Sequence, residues 1–296
     1  MNVIETHDLG RRYGATWALK ECSLTIPAGH LTALVGPNGA GKTTLINLVI
    51  GLSTPSAGEL TVLGDLRPGS LPALDGIGFV AQDVPLYRGF SVADMVSLTR
   101  NLNRTFDVDY AHERLADLNI DLRKRAGQLS GGQRAQLALT LALARHPRLL
   151  VLDEPTASLD PLARHDFMAT VMAAMADDGV SVVLSSHLLS ELERVADHLV
   201  LLSDGRIRLD GPVDDLLAEH RLVTTRSGPV STHPAWDVVE SIAAGAQTQQ
   251  LVRLRSPEVA LPAGCDARPV GIEELAMAYL RSSTRGVGPV LEGAHR

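Results

Sequence analysis

The sequence predicts an α/β fold built on a largely parallel sheet. Short, continuous apolar runs at 31–35, 77–81, 149–152, 181–184 and 199–202 read as strands buried on both faces. Helical apolar spacing fills the gaps between runs, at 43–51, 92–102, 109–118, 131–145, 161–176 and 188–196. Alternation of the two is the pattern of helices packed on a parallel sheet. The 296 residues are 45% hydrophobic and 21% charged, enough for a sizeable core, and only 3% aromatic, so that core is mostly aliphatic.

The elements follow in order. Residues 1–30 and 59–63 are strand-like with no helix between strands, which predicts an antiparallel flank. A glycine-rich loop joins the run 31–35 to the helix at 43. Residues 91–128 form a helical block too long for one crossover, hence an inserted helical subdomain. Beyond Gly205, 206–209 reads as a strand and 212–219 as a short helix with Pro212 at its start. We divide the chain into a domain spanning 1–220 and an accessory α+β region, 221–296, with strand-like 251–255 and helix-like 272–281. The last dozen residues, with Gly286, Gly288 and Gly293, read as a frayed end.

Composition excludes several function classes. Lys+Arg 27 against Asp+Glu 34 gives a net charge of −7, the wrong sign for a nucleic-acid binder. Two cysteines, Cys22 and Cys265, exclude a disulfide scaffold and suit a reducing compartment. No run approaches the roughly 18 apolar residues of a membrane span, and the N-terminus lacks a secretory core. These features predict a soluble, cytoplasmic chain. Of the basic residues only Lys20, Lys42 and Lys124 are lysine. Where arginine is this general, a retained lysine marks a place that needs a compact ammonium.

Five short motifs carry the chemistry. Gly36-Pro37-Asn38-Gly39-Ala40-Gly41-Lys42-Thr43-Thr44 follows a strand and opens a helix, the context of a phosphate-binding loop. Its glycines let backbone N–H groups wrap a phosphate. Lys42 reaches the β- and γ-phosphates, and Thr43 offers its hydroxyl to Mg²⁺. The run 149–152 ends in the adjacent acids Asp153 and Glu154. Side chains alternate along a strand, so Asp153 can serve a metal while Glu154 polarises water. Leu129-Ser130-Gly131-Gly132-Gln133 starts a long helix, a second anion site that suggests a nucleotide held by another chain. Gln82 and His187 follow strands, where ligands bind in open α/β sheets. Each motif has a plainer reading by itself: a glycine turn, a solvated strand end, an ordinary N-cap, a structural Gln or His.

Together and in this order, over roughly residues 1–220, they resemble the ATP-binding subunit of an ABC transporter, whose signature is the LSGGQ pentapeptide. The resemblance implies a phosphate-loop NTPase fold of the ABC ATPase type, with an antiparallel β flank and a helical subdomain. It implies that Tyr13 stacks on adenine, a contact worth about 1–3 kcal/mol. It implies that two copies pack head to tail, each ATP lying between Lys42 of one and Ser130, Gly131, Gly132 and Gln133 of the other. Thr43, Gln82 and Asp153 would hold Mg²⁺, Glu154 would orient water, His187 would touch the γ-phosphate, and the Ser158-Leu159-Asp160 loop would cross the dimer interface. A separate transmembrane permease is implied, with the chain peripheral on the cytoplasmic face of the membrane. The stretch 82–95, with Leu86, Tyr87, Phe90, Val92 and Met95, is its expected receiver. A single nucleotide domain and a tail opened by Gly271-Ile272-Glu273-Glu274-Leu275 are most similar to drug, antibiotic or lipid exporters. The competing reading is a soluble ABC-type ATPase acting on ribosomes or DNA. A single phosphate loop, the lack of zinc-type cysteines and the net charge of −7 count against it.

Overall fold

A computed structural model describes residues 1–186, 189–225, 234, 236–245, 247–256 and 265–284. The flank and first strand comprise β1 (Asn2–Tyr13), β2 (Thr16–Pro27) and β3 (Leu31–Val35), followed by α1 (Lys42–Val49) and β4 (Ala57–Val62). Next come α2 (Leu71–Gly76), β5 (Ile77–Val80), α3 (Val92–Leu102), α4 (Val108–Asp117) and α5 (Gly131–Leu143). After these lie β6 (Leu149–Asp153), α6 (Pro161–Asp178), β7 (Ser181–Ser186), α7 (Leu189–Leu192), β8 (His198–Ser203), β9 (Arg206–Pro212) and α8 (Val213–Glu219). The C-terminal part holds β10 (His220–Thr225), β11 (Trp236–Ala244), β12 (Gln247–Leu254), β13 (Cys265–Arg268) and α9 (Ile272–Thr284).

All five residues of β3, β6 and their neighbours at the sheet centre are buried, as continuous apolar runs require when helices cover both faces. The central sheet has the order β5-β6-β7-β3-β8-β9. Pairing is parallel from β5 to β8, and β9 closes the edge antiparallel to β8. The chain order jumps at β3, which sits between β7 and β8. Carboxyl ends of parallel strands gather at such a crossover point, and ligand sites form there.

The expected antiparallel flank is the sheet β2-β1-β4. Its hairpin lies across the central layer: Lys20 N–H donates to the Gly205 carbonyl at 2.8 Å. The expected helical block is α3 and α4 with a 3₁₀ turn at Ala126–Gln128. Ser91 and Asp94 form a capping box at the start of α3, satisfying two backbone donors that a helix start leaves free. Helix α5 joins the two layers. Its Leu137 and Leu141 pack with Val96 and Leu115 of the block. Its Leu139 and Leu143, on another face, pack with Leu150 and Leu152 of the sheet.

Two sequence expectations need correction. The helix expected over 188–196 is observed only at Leu189–Leu192, continuing as turns. Helix α2 was not foreseen; it buries only Ala73 and leaves Leu71 and Leu74 exposed, so it carries no apolar stripe to read.

The accessory region forms a four-stranded antiparallel sheet, β11-β12-β10-β13, of which the sequence disclosed β12 and α9. Its apolar side chains are continuous with those of the central layer. Ile272, Leu275 and Ala276 of α9 belong to one buried cluster with Leu189, Leu192 and Leu199. The junction is also polar. The His220 Nδ1–H donates to the Leu216 carbonyl at 2.6 Å, which leaves Nε2 to accept from the Tyr279 hydroxyl at 2.9 Å. Burial holds the imidazole below its ordinary pKa and pushes the Tyr279 phenol up to about 12; both groups are neutral at physiological pH.

Ending the chain at residue 219 strips α9 from this cluster, and each buried Leu or Ile contributes about 1.5–3 kcal/mol. The truncated chain should melt about 5 °C lower or more, by calorimetry. If it remains folded, its phosphate loop should still bind ATP, measurable by equilibrium titration.

Candidate functional site

The phosphate loop connects the carboxyl end of β3 to α1, at the crossover of the central sheet. Two of its glycines are sterically required. A Cβ at Gly36 would lie 2.1 Å from the Leu202 carbonyl oxygen of β8. Gly41, the N-cap of α1, has φ +110, and a Cβ there would meet the Ala18 carbonyl oxygen of β2 at 2.7 Å. At these two positions the loop passes between two backbones with no room for a side chain.

Lys42 follows at the first helical position and is 6% exposed. Its Nζ donates to the Gly36 carbonyl at 2.7 Å and the Pro37 carbonyl at 3.3 Å, and lies 3.4 Å from Glu154 Oε1. A buried ammonium needs such partners. Glu154 is the first residue after β6 and has φ +44, an uncommon conformation for a side-chain-bearing residue. Its N–H donates to Ser185 Oγ at 2.9 Å and to the Ser185 carbonyl at 3.2 Å. Asp153, the last residue of β6, is 4% exposed, and its Oδ1 accepts from Ser185 Oγ at 2.6 Å.

These groups open onto a cleft of about 500 Å³ lined by Ala18, Asn38, Gly39, Gly41, Lys42, Thr43, Thr44, Gln82, Glu154 and Ala157. The structure therefore brings together the phosphate loop, Gln82 and Glu154, with Asp153 behind them. His187 lies outside the described residues. Tyr13 ends β1 and is 48% exposed. The Arg11 guanidinium sits 4.7 Å from its ring centroid, and hydrogen bonding from Arg11, then Ser53, holds the phenol below its ordinary pKa.

Ser130, Gly131, Gly132 and Gln133 do not line this cleft. They form the N-terminus of α5 with a capping box: Ser130 Oγ accepts from the Gln133 N–H at 3.1 Å, and Gln133 Oε1 accepts from the Ser130 N–H at 3.2 Å. Lys124 Nζ donates to the same Gln133 oxygen at 3.2 Å. Gly132 packs on Ala163 in the first turn of α6, whose N-cap is Asp160. Asp160 Oδ1 accepts from the Ala163 N–H at 3.0 Å. The signature and the Ser158-Leu159-Asp160 loop therefore form one surface, apart from the nucleotide cleft of their own chain.

Sequence reasoning passed over Ser185, and it marked Lys124 without assigning it a partner. The available signal for Ser185 was two polar residues, Ser185 and Ser186, closing a buried strand after the apolar run Val182–Leu184. For Lys124 its rarity among arginines was read, but not its bond to Gln133.

A strand–loop–helix phosphate cradle at a sheet crossover, backed by two acids, defines a phosphate-loop nucleotide-binding protein. Residues 19–157 match the family described as ABC transporter. The chain is 35% identical over 223 residues to "Nod factor export ATP-binding protein I" of Rhizobium johnstonii, covering 73% of this chain and 71% of that one. It is 32% identical over 201 residues to "Thiamine import ATP-binding protein ThiQ" of Shigella flexneri, covering 66% and 87%. Among solved structures, an ATP-binding subunit of an ABC transporter superposes with TM-score 0.65 at 27% identity, covering 72% of this chain and 91% of that one. The chain belongs to the ATP-binding subunits of ABC transporters. It is an ATPase that works with separate transmembrane components, and no helix among the described residues is long and apolar enough to cross a membrane.

Lys42→Ala removes the only side-chain cation lining the cleft among the described residues and leaves Glu154 facing the phosphate site. Nucleotide binding should weaken by about tenfold or more, and hydrolysis should fall to background. Titration with ATP and a phosphate-release assay check both, and wild-type turnover would refute the site.

Proposed function

We propose that two copies of this chain close head to tail over two ATP molecules, each bound by the phosphate loop of one copy and the signature of the other. The supporting observation is that Ser130–Gln133 present a helix N-terminus, an anion site, yet stand outside the cleft lined by Lys42 and Glu154. A second chain satisfies both halves.

Within each half, Asn38, Gly39 and Gly41 direct backbone N–H groups at the phosphates, the Ala40 N–H closes the loop on the Pro37 carbonyl at 3.1 Å, and Lys42 neutralises phosphate charge. Thr43, Gln82 and Asp153 suit Mg²⁺. Among the described residues no group of three or more His, Cys, Asp or Glu could cage a metal. One carboxylate with neutral oxygens is instead the donor set of a Mg²⁺ that keeps phosphate and water ligands. Bound there, Mg²⁺ supplies charge neutralisation. Glu154 leaves Lys42 as phosphate takes its place and accepts the proton of the attacking water. Tyr13 stacks on the base, His187 contacts the γ-phosphate, and Asp160 with its loop lies at the shared interface. Positioning and charge compensation supply most of the rate.

The permease contact falls on a groove of about 240 Å³ between the end of β5, α3 and α5, lined by Val84, Pro85, Leu86, Thr99 and Leu141 among others. Of the apolar residues expected there, Val92 and Met95 are buried inside the helical block. Tyr87 and Phe90 are 61% and 41% exposed with ring centroids 5.2 Å apart, and they are the part left for a partner helix. We place the chain on the cytoplasmic face of the membrane through this contact. Export is the direction we infer. It is supported by the likeness of 271–275 to exporter tails and by relatives named for Nod factor export; relatives named for Fe(3+) and thiamine import also match.

Glu154→Gln keeps the shape of the side chain without its basicity. Hydrolysis should drop about 10²-fold or more while an ATP-bound dimer accumulates in size-exclusion chromatography with light scattering. A variant that stays monomeric at saturating ATP-Mg²⁺ would overturn the dimer.

Mixing tests the shared site directly. Lys42→Ala and Ser130→Arg chains are each inactive alone, but their heterodimer holds one intact loop opposite one intact signature. The mixture should regain a minority of wild-type turnover, and the wild-type rate per chain should rise with concentration below the dimer dissociation constant. A concentration-independent rate from a confirmed monomer excludes the arrangement.

For the permease contact, the exposed pair is tested by Tyr87→Ala/Phe90→Ala, which should keep basal ATPase activity and lose retention on native membranes. Normal retention would sink the assignment.

A further inference from the structure

We infer that Ser185 is the positioning residue that sets both acids of the ATPase site through one hydroxyl. The inference rests on the roles proposed for Asp153 and Glu154 and goes beyond them, because it names what holds them in place. Ser185 is fully buried on β7, directly opposite Asp153 of β6 in the parallel register. Its Oγ donates to Asp153 Oδ1 at 2.6 Å and accepts from the Glu154 N–H at 2.9 Å. A hydroxyl has one proton and two lone pairs, so a single serine can serve both neighbours at once; alanine or valine can serve neither.

The two bonds do different work. The first is to an ionised acceptor and is the stronger kind. It points the Asp153 carboxylate and leaves its other oxygen for a metal ligand or water. The second stabilises Glu154 in its left-handed conformation, φ +44. Residues with a side chain hold that conformation at a cost and keep it only where neighbours impose it. This turn brings the Glu154 carboxylate to the cleft beside Lys42. Without the Oγ acceptor, the Glu154 N–H loses the shorter of its two bonds to Ser185, 2.9 Å against 3.2 Å to the carbonyl, and the angle at which Glu154 enters the cleft is less constrained. Asp153 and Glu154 are thus coupled through β7, the strand that also leads to His187.

Losing a hydrogen bond to a charged group costs roughly tenfold or more in an equilibrium, so the loss should appear in metal binding and in turnover. Ser185→Ala should lower kcat about tenfold or more, with KM for ATP within about threefold. It should also weaken Mn²⁺ binding to the protein–ADP complex, read by electron paramagnetic resonance, while ADP binding in EDTA is unchanged. A purely structural serine would not split the readouts this way.

Ser185→Thr and Ser185→Val form a matched pair of equal shape in which only Thr keeps the hydroxyl. Thr should retain Mn²⁺ affinity and turnover relative to Val at equal melting temperature, whether or not the alanine variant folds. Equal Mn²⁺ affinity and equal kcat for Thr and Val would overturn the inference. Asp153→Asn and Glu154→Gln separate it from the reading beneath it. If both keep wild-type turnover, the assigned roles of the acids fail. If both lose turnover while Ser185→Ala and Ser185→Val do not, only the role of Ser185 fails.

Discussion

The structure depends on one buried ammonium. Lys42 is held by the carbonyls of Gly36 and Pro37 and by Glu154, and the carbonyls and the carboxylate are placed by two different constraints. The carbonyls are in place because Gly36 and Gly41 let the chain pass against Leu202 and Ala18. Glu154 is in place because β6 ends beside β7 and its N–H is held there. A charge this buried has to be compensated at every stage. In the structure Glu154 compensates it, and a phosphate can do the same while freeing the carboxylate for water. Lys42 and Glu154 therefore share one electrostatic balance.

The layers around this point are less separate than their linear order implies. The β1–β2 hairpin supplies Ala18 and Leu19 against the phosphate loop and carries Tyr13 at its end. Helix α5 presents its N-terminus away from the cleft and uses different faces for the helical block and the sheet. Movement of the block relative to the sheet would pass through α5 and carry the signature with it. At the far side, α9 is packed on α7, with the Ile272 N–H donating to Glu193 at 3.2 Å. The C-terminal sheet is thus attached to the element that follows His187, and its apolar side chains complete a cluster begun by the central layer.

The relatives show why the cleft and the groove carry different information. Subunits named for export and for import match this chain over similar lengths, because nucleotide chemistry demands the same loop and acids whatever is moved. The groove between the end of β5, α3 and α5, with Tyr87 and Phe90 exposed in the loop before α3, lies apart from that loop and those acids.

What the sequence determined by itself is local and periodic. Gly36–Thr44, Asp153-Glu154 and Ser130–Gln133 were legible because phosphate cradles and helix starts need particular residues at fixed spacing. The central strands were legible because burial on both faces leaves unbroken apolar runs, and α3 through α6 because their apolar stripes follow the helical period. Only the tertiary structure decided the rest. Ser185 holds Asp153 and Glu154 from a strand about thirty residues away in the chain, a relation set by sheet order that no local pattern encodes. Lys124 meets Gln133 because the helical block folds back on α5. Helix α2 and strands β10, β11 and β13 carry little or no apolar period, and pairing partners rather than propensity settle such segments. The continuity of the accessory region with the central core was hidden for the same reason: Leu275 and Leu192 become neighbours only when the sheets and helices between them are assembled.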